Sequence, residues 1–386
     1  MESGIVRGGF PLELARAIRY YWHTMKRRSR IVSIVGARPQ FIKLACLEPV
    51  LSKRFRHEII HTGQHYDSNM SSMFFKQLRL PKANINLKIG SGSHGVMTGR
   101  MLAAIEKTLV REKPDLVLVY GDTNTTLAGA LSAAKLSIPV GHVEAGMRSF
   151  VTDMPEEINR RLTDHVSTLL FCPTAASMKN ARAEGIRKGL VHSGDLMYEL
   201  LHNSMPAIRR NRSLLRRLGV EAERFLLLTA HRAANVDDRR QLLKLLDLIE
   251  ALPMPTLFPV HPRTKKRLRQ FRLWSKLSDI DGLILCDPLG YFDMLTAAHF
   301  AHAVLSDSGG LQKEAIFLGT PVLTLRDETE WVETLRRGNH LVGLDAQKVC
   351  RLLARDLGAS PLPYRVRNKR PSRIIADHIA RCLAGR

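Results

Sequence analysis

Cysteine is scarce in this 386-residue chain, and its positions are scattered. The five residues form no C-x-x-C pair and are Cys46, Cys172, Cys286, Cys350 and Cys382. An odd number at such spacing argues against a disulfide framework and against a structural zinc site. We therefore expect a cytoplasmic protein with reduced thiols.

Long apolar runs are also missing. No stretch of about 20 apolar residues occurs, so we expect no membrane span. Residues 1–28 carry Glu2, Arg7 and the mixed segment 12–23, which lacks the apolar run and cleavage site of a signal peptide. We interpret 1–28 as a basic extension ahead of the fold. Either an internal start at Met25 or an amphipathic N-terminal helix fits it.

Acidic residues are outnumbered, with 36 Asp and Glu against 59 Lys and Arg, and the net charge is +23. Such a balance is common in nucleic-acid-binding proteins. The basic clusters have little aromatic interleaving and accompany no recognisable nucleic-acid module; they lie at 26–30, 209–217, 263–272 and 365–373. We interpret them as a solvated surface that attracts an anionic nucleotide substrate, and we expect no dedicated nucleic-acid partner.

Short β-branched apolar runs alternate with helical patterns along the chain, which is typical of parallel sheets in α/β proteins. The predicted strands are 31–35, 58–61, 115–120, 138–143 and 168–172 in the first half, and 225–229, 256–260, 282–285, 303–306 and 321–325 in the second. Two such series predict two doubly wound, Rossmann-like domains.

The expected domain break lies near 196–224, where Met205–Pro206 and a basic run interrupt the pattern. We assign 29–200 to an N-terminal domain and 201–365 to a C-terminal nucleotide-binding domain. The remaining segment, 366–386, is assigned to a helix that crosses back to the first domain.

Ligands of open α/β sheets bind outside the carboxyl ends of the strands, so the residues that follow each strand are the candidates for a site. After the first strand, Gly36 permits a tight turn, and Arg38 and Lys43 point toward the cleft, where both suit phosphate. A polar loop without a ligand is the alternative.

Three carboxylates follow later strands of the first half. Asp122 follows the third strand and Glu144 the fourth, and each has a structural alternative. The alternative is a helix N-cap for Asp122 and a salt bridge to Arg148 or another base for Glu144. Glu156 and Arg160 lie four apart on one face of a helix that begins near Pro155, which by itself is an ordinary helix pair.

The second half offers binding groups for phosphate. His231 and Arg232 follow its first strand, where they bind phosphate and donate a proton or merely cap the strand. Ser308, Gly309 and Gly310 expose backbone N–H groups at the start of a helix, which suits a diphosphate unless the helix is simply capped. Glu314, one turn on, is placed to accept hydrogen bonds from ribose hydroxyls.

Several familiar cofactor motifs are missing. The stretch 90–95 matches G-x-G-x-x-G, but it does not close the first strand of a βαβ unit, so we treat the match as chance. Neither a Walker A sequence nor an H-E-x-x-H zinc motif occurs. We expect no cofactor and no metal.

As a set, these motifs resemble the non-hydrolysing UDP-N-acetylglucosamine 2-epimerase family. The matching pieces are GARPQFIK, TGQHYD, PDLVLVYGDTNTT, HVEAGMRS, MPEEINR, TAHR, SDSGGLQKEA and RDETE, in order from about residue 31 to 345. The variants GYFDM and TEWVE look most like a subgroup that includes epimerases of UDP-diacetamido-glucuronic acid.

The resemblance implies a glycosyltransferase-B fold, with two Rossmann-like domains around a deep cleft, and we expect a homodimer. It implies that Arg38, Lys43 and Arg160 hold phosphate or sugar. It implies acid/base work for Asp122, Glu144 and Glu156. His231 then contacts the diphosphate, Ser308, Gly309 and Gly310 cradle it, and Glu314 binds ribose.

Departures from the family pattern also occur. Ala234 stands where many members have Glu, and Trp331 where others have an arginine near the nucleotide. The usual glycine-rich string near the C-terminus appears only as 363–367, and Asp67 replaces a longer polar residue of the allosteric pattern, although Gln64 is present. We therefore do not predict activation by substrate.

The expected activity is inversion of C2 in a UDP-N-acetylated sugar, for cell-surface polysaccharide precursors. Elimination of UDP to a glycal and its re-addition avoid direct deprotonation of an unactivated carbon. A hydrolysing epimerase or a glycosyltransferase on the same fold remains an alternative, as does a catalytically degenerate homologue that binds nucleotide or polyanion.

Overall fold

The computed structural model describes residues 28–64, 75–329, 331–336, 338–355, 357 and 370–385. The expectations for a start at Met25, for Asp67 and for 363–367 lie outside these residues. Within the described part, no helix is long and apolar enough to cross a membrane.

The first half of the chain forms a sheet of seven parallel strands in the order β3-β2-β1-β4-β5-β6-β7. The strands are β1 (Arg30–Val35), β2 (Arg56–His61), β3 (Ile85–Asn86), β4 (Leu116–Tyr120), β5 (Val140–Val143), β6 (Leu169–Cys172) and β7 (Leu190–His192). The helices between them are α1 (Arg38–Arg54), α2 (His94–Glu112), α3 (Asn124–Lys135), α4 (Pro155–Val166) and α5 (Ala175–Ala183).

The second half repeats this arrangement with six parallel strands in the order β10-β9-β8-β11-β12-β13. They are β8 (Leu226–Thr229), β9 (Thr256–Pro259), β10 (Leu283–Cys286), β11 (Ala303–Ser306), β12 (Val322–Thr324) and β13 (Asn339–Leu341). The connecting helices are α8 (Ala233–Val236), α9 (Arg239–Glu250), α10 (Pro262–Gln270), α11 (Trp274–Ser278), α12 (Tyr291–Phe300), α13 (Gly309–Leu318) and α14 (Ala346–Leu353), with a 3₁₀ turn at Val332–Arg336.

The central strands are apolar on both faces because helices cover both sides of each sheet. In β1, Ile31 and Val35 pack in one core while Val32 and Ile34 pack in another, and all four are fully buried. This explains why the strands read as continuous apolar runs. The expected α/β fold with two doubly wound sheets is confirmed.

Two helices, α6 (Leu196–Arg210) and α7 (Ser213–Leu218), connect the sheets, and Pro206 lies inside α6 rather than ending it. The C-terminal helix α15 (Pro371–Ala384) returns to the first half. There, the backbone N–H and Oγ of Ser372 donate to Glu199 at 2.8 and 2.7 Å, and Asp377 pairs with Arg54. The domain boundaries at 200 and 365 stay a prediction.

Candidate active site

The loop after β1 is tied to the end of β4, which fixes one corner of the cleft. Gln40 Oε1 accepts hydrogen bonds from the N–H groups of Gly36 and Ala37 at 2.7 and 2.9 Å, and its Nε2 donates to Tyr120 O at 2.9 Å. A Cβ atom on Gly36 would stand 2.1 Å from Thr62 Oγ1, so close packing demands glycine there. Lys43 follows on α1, with 4% of its surface exposed.

Glu144 leaves the end of β5 in a left-handed conformation, with φ at +72°. Such a backbone is uncommon for a residue other than glycine and often marks a functional site. Lys43 Nζ lies 2.7 Å from Glu144 Oε1, and Lys313 Nζ lies 3.5 Å from Oε2. Burial alone raises the pKa of Glu144, but the two ammonium groups outweigh it and hold the pKa below its usual range.

Asp122 and Arg160 form the second ionic pair at this corner. Arg160 Nη1 donates to Asp122 Oδ2 at 2.5 Å, and its Nη2 donates to Glu157 Oε2 at 2.7 Å. Asn159 Nδ2 donates to the backbone oxygen of Asp122 at 2.9 Å, which fixes the turn that carries the carboxylate.

The helix pair expected between Glu156 and Arg160 is not found, and Glu157 takes its place. Glu157 is fully buried and also accepts from the N–H of Ser149 at 2.9 Å. Glu156 is half-buried, and its side chain makes no hydrogen bond or ion pair with any residue in the described ranges. The sequence offers two adjacent glutamates, and only the direction in which α4 presents its faces decides which one meets Arg160.

His142 was not assigned a role from the sequence, yet it connects three elements behind the carboxylates. Its Nδ1 lies 2.7 Å from Asp164 Oδ1, and its Nε2 lies 2.7 Å from Gly121 O, the carbonyl just before Asp122. Asp164 Oδ2 also pairs with Arg148 at 2.8 Å. Arg148 thus pairs with Asp164, and the salt bridges expected as the alternative for Glu144 are made by other bases, Lys43 and Lys313.

The opposite wall of the cleft is the N-terminus of α13. Ser308 is its N-cap, and Ser308 Oγ accepts from the N–H of Leu311 at 3.4 Å. A Cβ atom on Gly310 would meet neighbours only at 3.9 Å, so internal packing does not require glycine there. Glycines at this point instead leave the first-turn N–H groups open to close approach by an anion.

Asp307 orders the loop that carries His231, a function that sequence reasoning missed. Its Oδ2 accepts from the N–H groups of His231 and Arg232, both at 2.8 Å, and the side chain is fully buried. The ring of His231 stacks on that of His261, with centroids 5.0 Å apart. Burial and neighbouring cations lower the pKa of both rings, to about 4 for His261, so neutral imidazoles are favoured at neutral pH.

Glu314 lies one turn into α13 and differs from the other carboxylates. Tyr291 Oη donates to its Oε1 at 2.8 Å, and burial raises the pKa of Glu314 to about 7. Arg38, from the first half, acts on Glu314 electrostatically across the cleft, and burial lowers the pKa of Arg38.

A narrow pocket lies between the two halves. Its lining residues are Gly121, Asp122, Glu144, Met147, Arg160 and Trp331. Trp331 is the contribution of the second half, and it is 6% exposed. Over the described ranges, no cluster of three or more His, Cys, Asp or Glu side chains has the arrangement of a metal site.

Two Rossmann-like halves, with carboxylates on one wall of the cleft and a glycine-rich helix N-terminus on the other, define a glycosyltransferase-B-type enzyme of nucleotide sugars. Residues 50–370 match the family model described as UDP-N-acetylglucosamine 2-epimerase. The chain belongs to this family and is an epimerase.

Relatives with related activities share much of the sequence. A Methanococcus maripaludis UDP-N-acetylglucosamine 2-epimerase homolog is 50% identical over 322 residues, covering 83% of this chain and 90% of the relative. The Pseudomonas aeruginosa UDP-2,3-diacetamido-2,3-dideoxy-D-glucuronate 2-epimerase is 45% identical, covering 81% of this chain and 88% of that protein.

A solved structure shares both fold and sequence. The Methanocaldococcus jannaschii UDP-GlcNAc 2-epimerase, in complex with UDP-GlcNAc and UDP, has a TM-score of 0.83 at 40% identity. The similarity covers 91% of this chain and 99% of that one.

Proposed function

We propose that this protein inverts C2 of a UDP-N-acetylated sugar by eliminating UDP to a glycal and adding it back. The observation that carries the proposal is the pocket itself. Asp122 and Glu144, from neighbouring strand ends, line it together, and Trp331 lines it from the second half, which also carries α13. In our proposal these carboxylates act on the sugar carbon, and the N-terminus of α13 binds the leaving diphosphate.

The chemistry explains why both walls are needed. The C2 hydrogen has no adjacent carbonyl, so its removal is feasible only if the C1–O bond breaks as the proton leaves. In our proposal one carboxylate of the set Asp122, Glu144 and Glu156 takes that proton, and the electron pair forms the glycal double bond as UDP departs. Reprotonation at C2 on the other face and re-addition of UDP at C1 complete the cycle.

The proposed binding residues are divided between the two walls in the same way. We propose that the backbone N–H groups of Gly309 and Gly310 hold the diphosphate, with Ser308 and His231 beside them and Glu314 on the ribose. The N–H of Ser308 already donates to Ser306 Oγ at 3.0 Å. Lys43, Arg38 and Arg160 then contribute positive charge on the sugar and phosphate side. A structural relative solved in complex with UDP-GlcNAc and UDP supports a UDP-sugar ligand for this cleft.

The charges around the pocket favour a neutral sugar over a uronate. Lys43 is paired with Glu144, Arg160 with Asp122 and Glu157, and Lys313 with Asp195 and Glu144. A substrate carboxylate would have to displace one of these partners at a desolvation cost. We therefore propose UDP-GlcNAc and UDP-ManNAc as the substrate pair, although one relative at 45% identity is a diacetamido-glucuronate epimerase.

Incubation with a panel of UDP-sugars in deuterated water tests the proposal. Deuterium at C2 of both epimers of UDP-GlcNAc, with the uronate turned over more slowly, is the expected result. Free N-acetylmannosamine with UDP would instead identify a hydrolysing epimerase, and transfer to an acceptor a glycosyltransferase. Binding of UDP without any exchange would indicate a degenerate homologue.

We further propose a homodimer that works in the cytoplasm on precursors of cell-surface polysaccharide. The scattered cysteines support a reducing compartment, and the proposed product is an activated amino sugar of the kind that such polymers contain. Sedimentation at micromolar concentration tests the dimer, since a monomer mass would contradict it.

A further inference from the structure

Lys313 is a buried lysine in the cleft, and the proposed mechanism assigns no role to it. It lies on α13 with 1% of its side chain exposed. Its Nζ is 2.7 Å from Asp195 Oδ2 and 3.5 Å from Glu144 Oε2, and it stands 3.7 Å above the ring centroid of Trp331. An ammonium group has three N–H donors, and these three neighbours account for them.

The nearest partner of Lys313 is independently held in place. Asp195 is the N-cap of α6, and its Oδ1 accepts from the N–H of Met197 at 2.8 Å. Lys313 is therefore anchored through Asp195, at the shorter of its two ionic distances. Its charge remains beside Glu144 whether or not Glu144 is ionised, and so it acts on Glu144 as a fixed external charge.

The members of this cluster come from both halves of the molecule. Glu144 and Asp195 belong to the first half, whereas Lys313 and Trp331 come from the second. Lys313 also lies four residues beyond Gly309, on the same helix whose N-terminus forms the proposed diphosphate seat. The position of that helix therefore sets the position of the charge next to Glu144.

We propose that Lys313 is a positioning residue that keeps Glu144 ionised and aimed into the pocket when the second half of the molecule lies against the first. This inference rests on the proposed function of Glu144. The groups that face Glu144 are Lys43 from α1 and Lys313 from α13, and Asp122 and Arg160 share its pocket. Lys43, from the first half, pairs with one carboxylate oxygen of Glu144. Lys313, from the second half, adds a second positive charge beside the other oxygen.

Trp331 belongs to the same charge cluster around Lys313. Its ring covers the ammonium group without competing for Asp195 or Glu144, and an aromatic face attracts a cation. A cation at position 331 would face Lys313 at close range and push it away.

The test compares Lys313→Met and Lys313→Arg with the parent protein, and Lys276→Met, which changes an exposed lysine, is the control. We expect Lys313→Met to move the acidic limb of the kcat/KM profile to higher pH by about one pH unit, because Glu144 loses a stabilising cation. At pH values below that limb, kcat/KM then falls about tenfold. Lys313→Arg is expected to restore most of the profile.

A ¹³C NMR titration of the Glu144 carboxyl group measures the same effect without turnover. The Glu144 signal is assigned by its absence from the spectrum of Glu144→Gln. An unchanged Glu144 midpoint in Lys313→Met would overturn the proposal, whatever the activity. If Lys313→Met fails to fold because Asp195 is left unpaired, Lys313→Gln removes the charge but keeps a hydrogen-bond donor for Asp195, and the same midpoint decides. Failure of the parent to exchange C2 hydrogen would refute the proposed function, while the titration would still decide the part of Lys313.

Discussion

The two walls of the cleft handle charge by different means. On the first wall, Asp122 and Glu144 are each paired with a cationic side chain, and the pKa of Glu144 lies below its usual range. On the second wall, Glu314 accepts from a neutral phenol, and burial raises its pKa to about 7. Beside it lies the N-terminus of α13, which we propose as the diphosphate-binding site.

This difference matches two chemical tasks. Ionisable side chains in a paired network can change protonation during a reaction, which acid/base work requires. A helix N-terminus offers fixed dipoles that bind a diphosphate without a proton change. Substitutions on the first wall are therefore expected to reduce turnover, and those on the second to reduce nucleotide affinity.

The largest expected effect comes from removing a carboxylate of the first wall. Asp122→Asn and Glu144→Gln retain size but lose proton transfer, so each should lower kcat by roughly a hundredfold or more, with UDP affinity nearly unchanged. C2 hydrogen exchange and glycal release locate the affected step, since a variant that releases glycal without epimerising fails in reprotonation. Parent-level rates in both variants would contradict the assignment, and Glu156→Gln is expected to show a milder loss.

A substitution on the second wall should have the opposite signature. Gly309→Val blocks close approach of a phosphate to the α13 N-terminus, and UDP affinity should fall about tenfold or more. Calorimetry with UDP measures this, with Gly92→Val as the control because a side chain at Gly92 would meet nothing within 4 Å. UDP affinity equal to that of the parent in a folded Gly309→Val protein would refute the proposal that the α13 N-terminus binds the diphosphate.

A smaller effect is expected behind the first wall. Both ring nitrogens of His142 face oxygen acceptors, on Asp164 and on the carbonyl before Asp122. His142→Asn cannot span both, so kcat should fall several-fold while UDP affinity stays the same. Steady-state kinetics with UDP calorimetry check this, and a loss confined to UDP affinity would place His142 with the other wall.

The smallest effect concerns stability and Glu314. Its folded pKa of about 7 lies above the usual glutamate pKa of 4.5, so its stabilising contribution is full below the unfolded pKa and is lost as pH rises through the folded pKa. Glu314→Gln should therefore raise Tm by a few degrees at pH 8 and leave it nearly unchanged at pH 4. Melting curves across this range measure it, and a parallel pH dependence of Tm in both proteins would contradict it.

The local pattern of apolar runs was sufficient to predict the central strands. β11 was predicted at its observed bounds, and β1, β4 and β8 to within one residue at either end. Three edge strands, β3, β7 and β13, were missed because each has only two or three residues and little apolar character. Their pairing depends on the neighbouring strand, which local sequence does not describe.

The sequence by itself determined the α/β alternation, the strand ends that carry Asp122 and Glu144, and the glycines at the start of α13, because these depend on residue type and short spacing. Only the tertiary structure decided the partners. Lys43 lies 101 positions from Glu144, and Lys313 lies 118 from Asp195. The ionisation of a buried carboxylate depends on desolvation and on charges brought to it by folding, and neither can be read from neighbours along the chain.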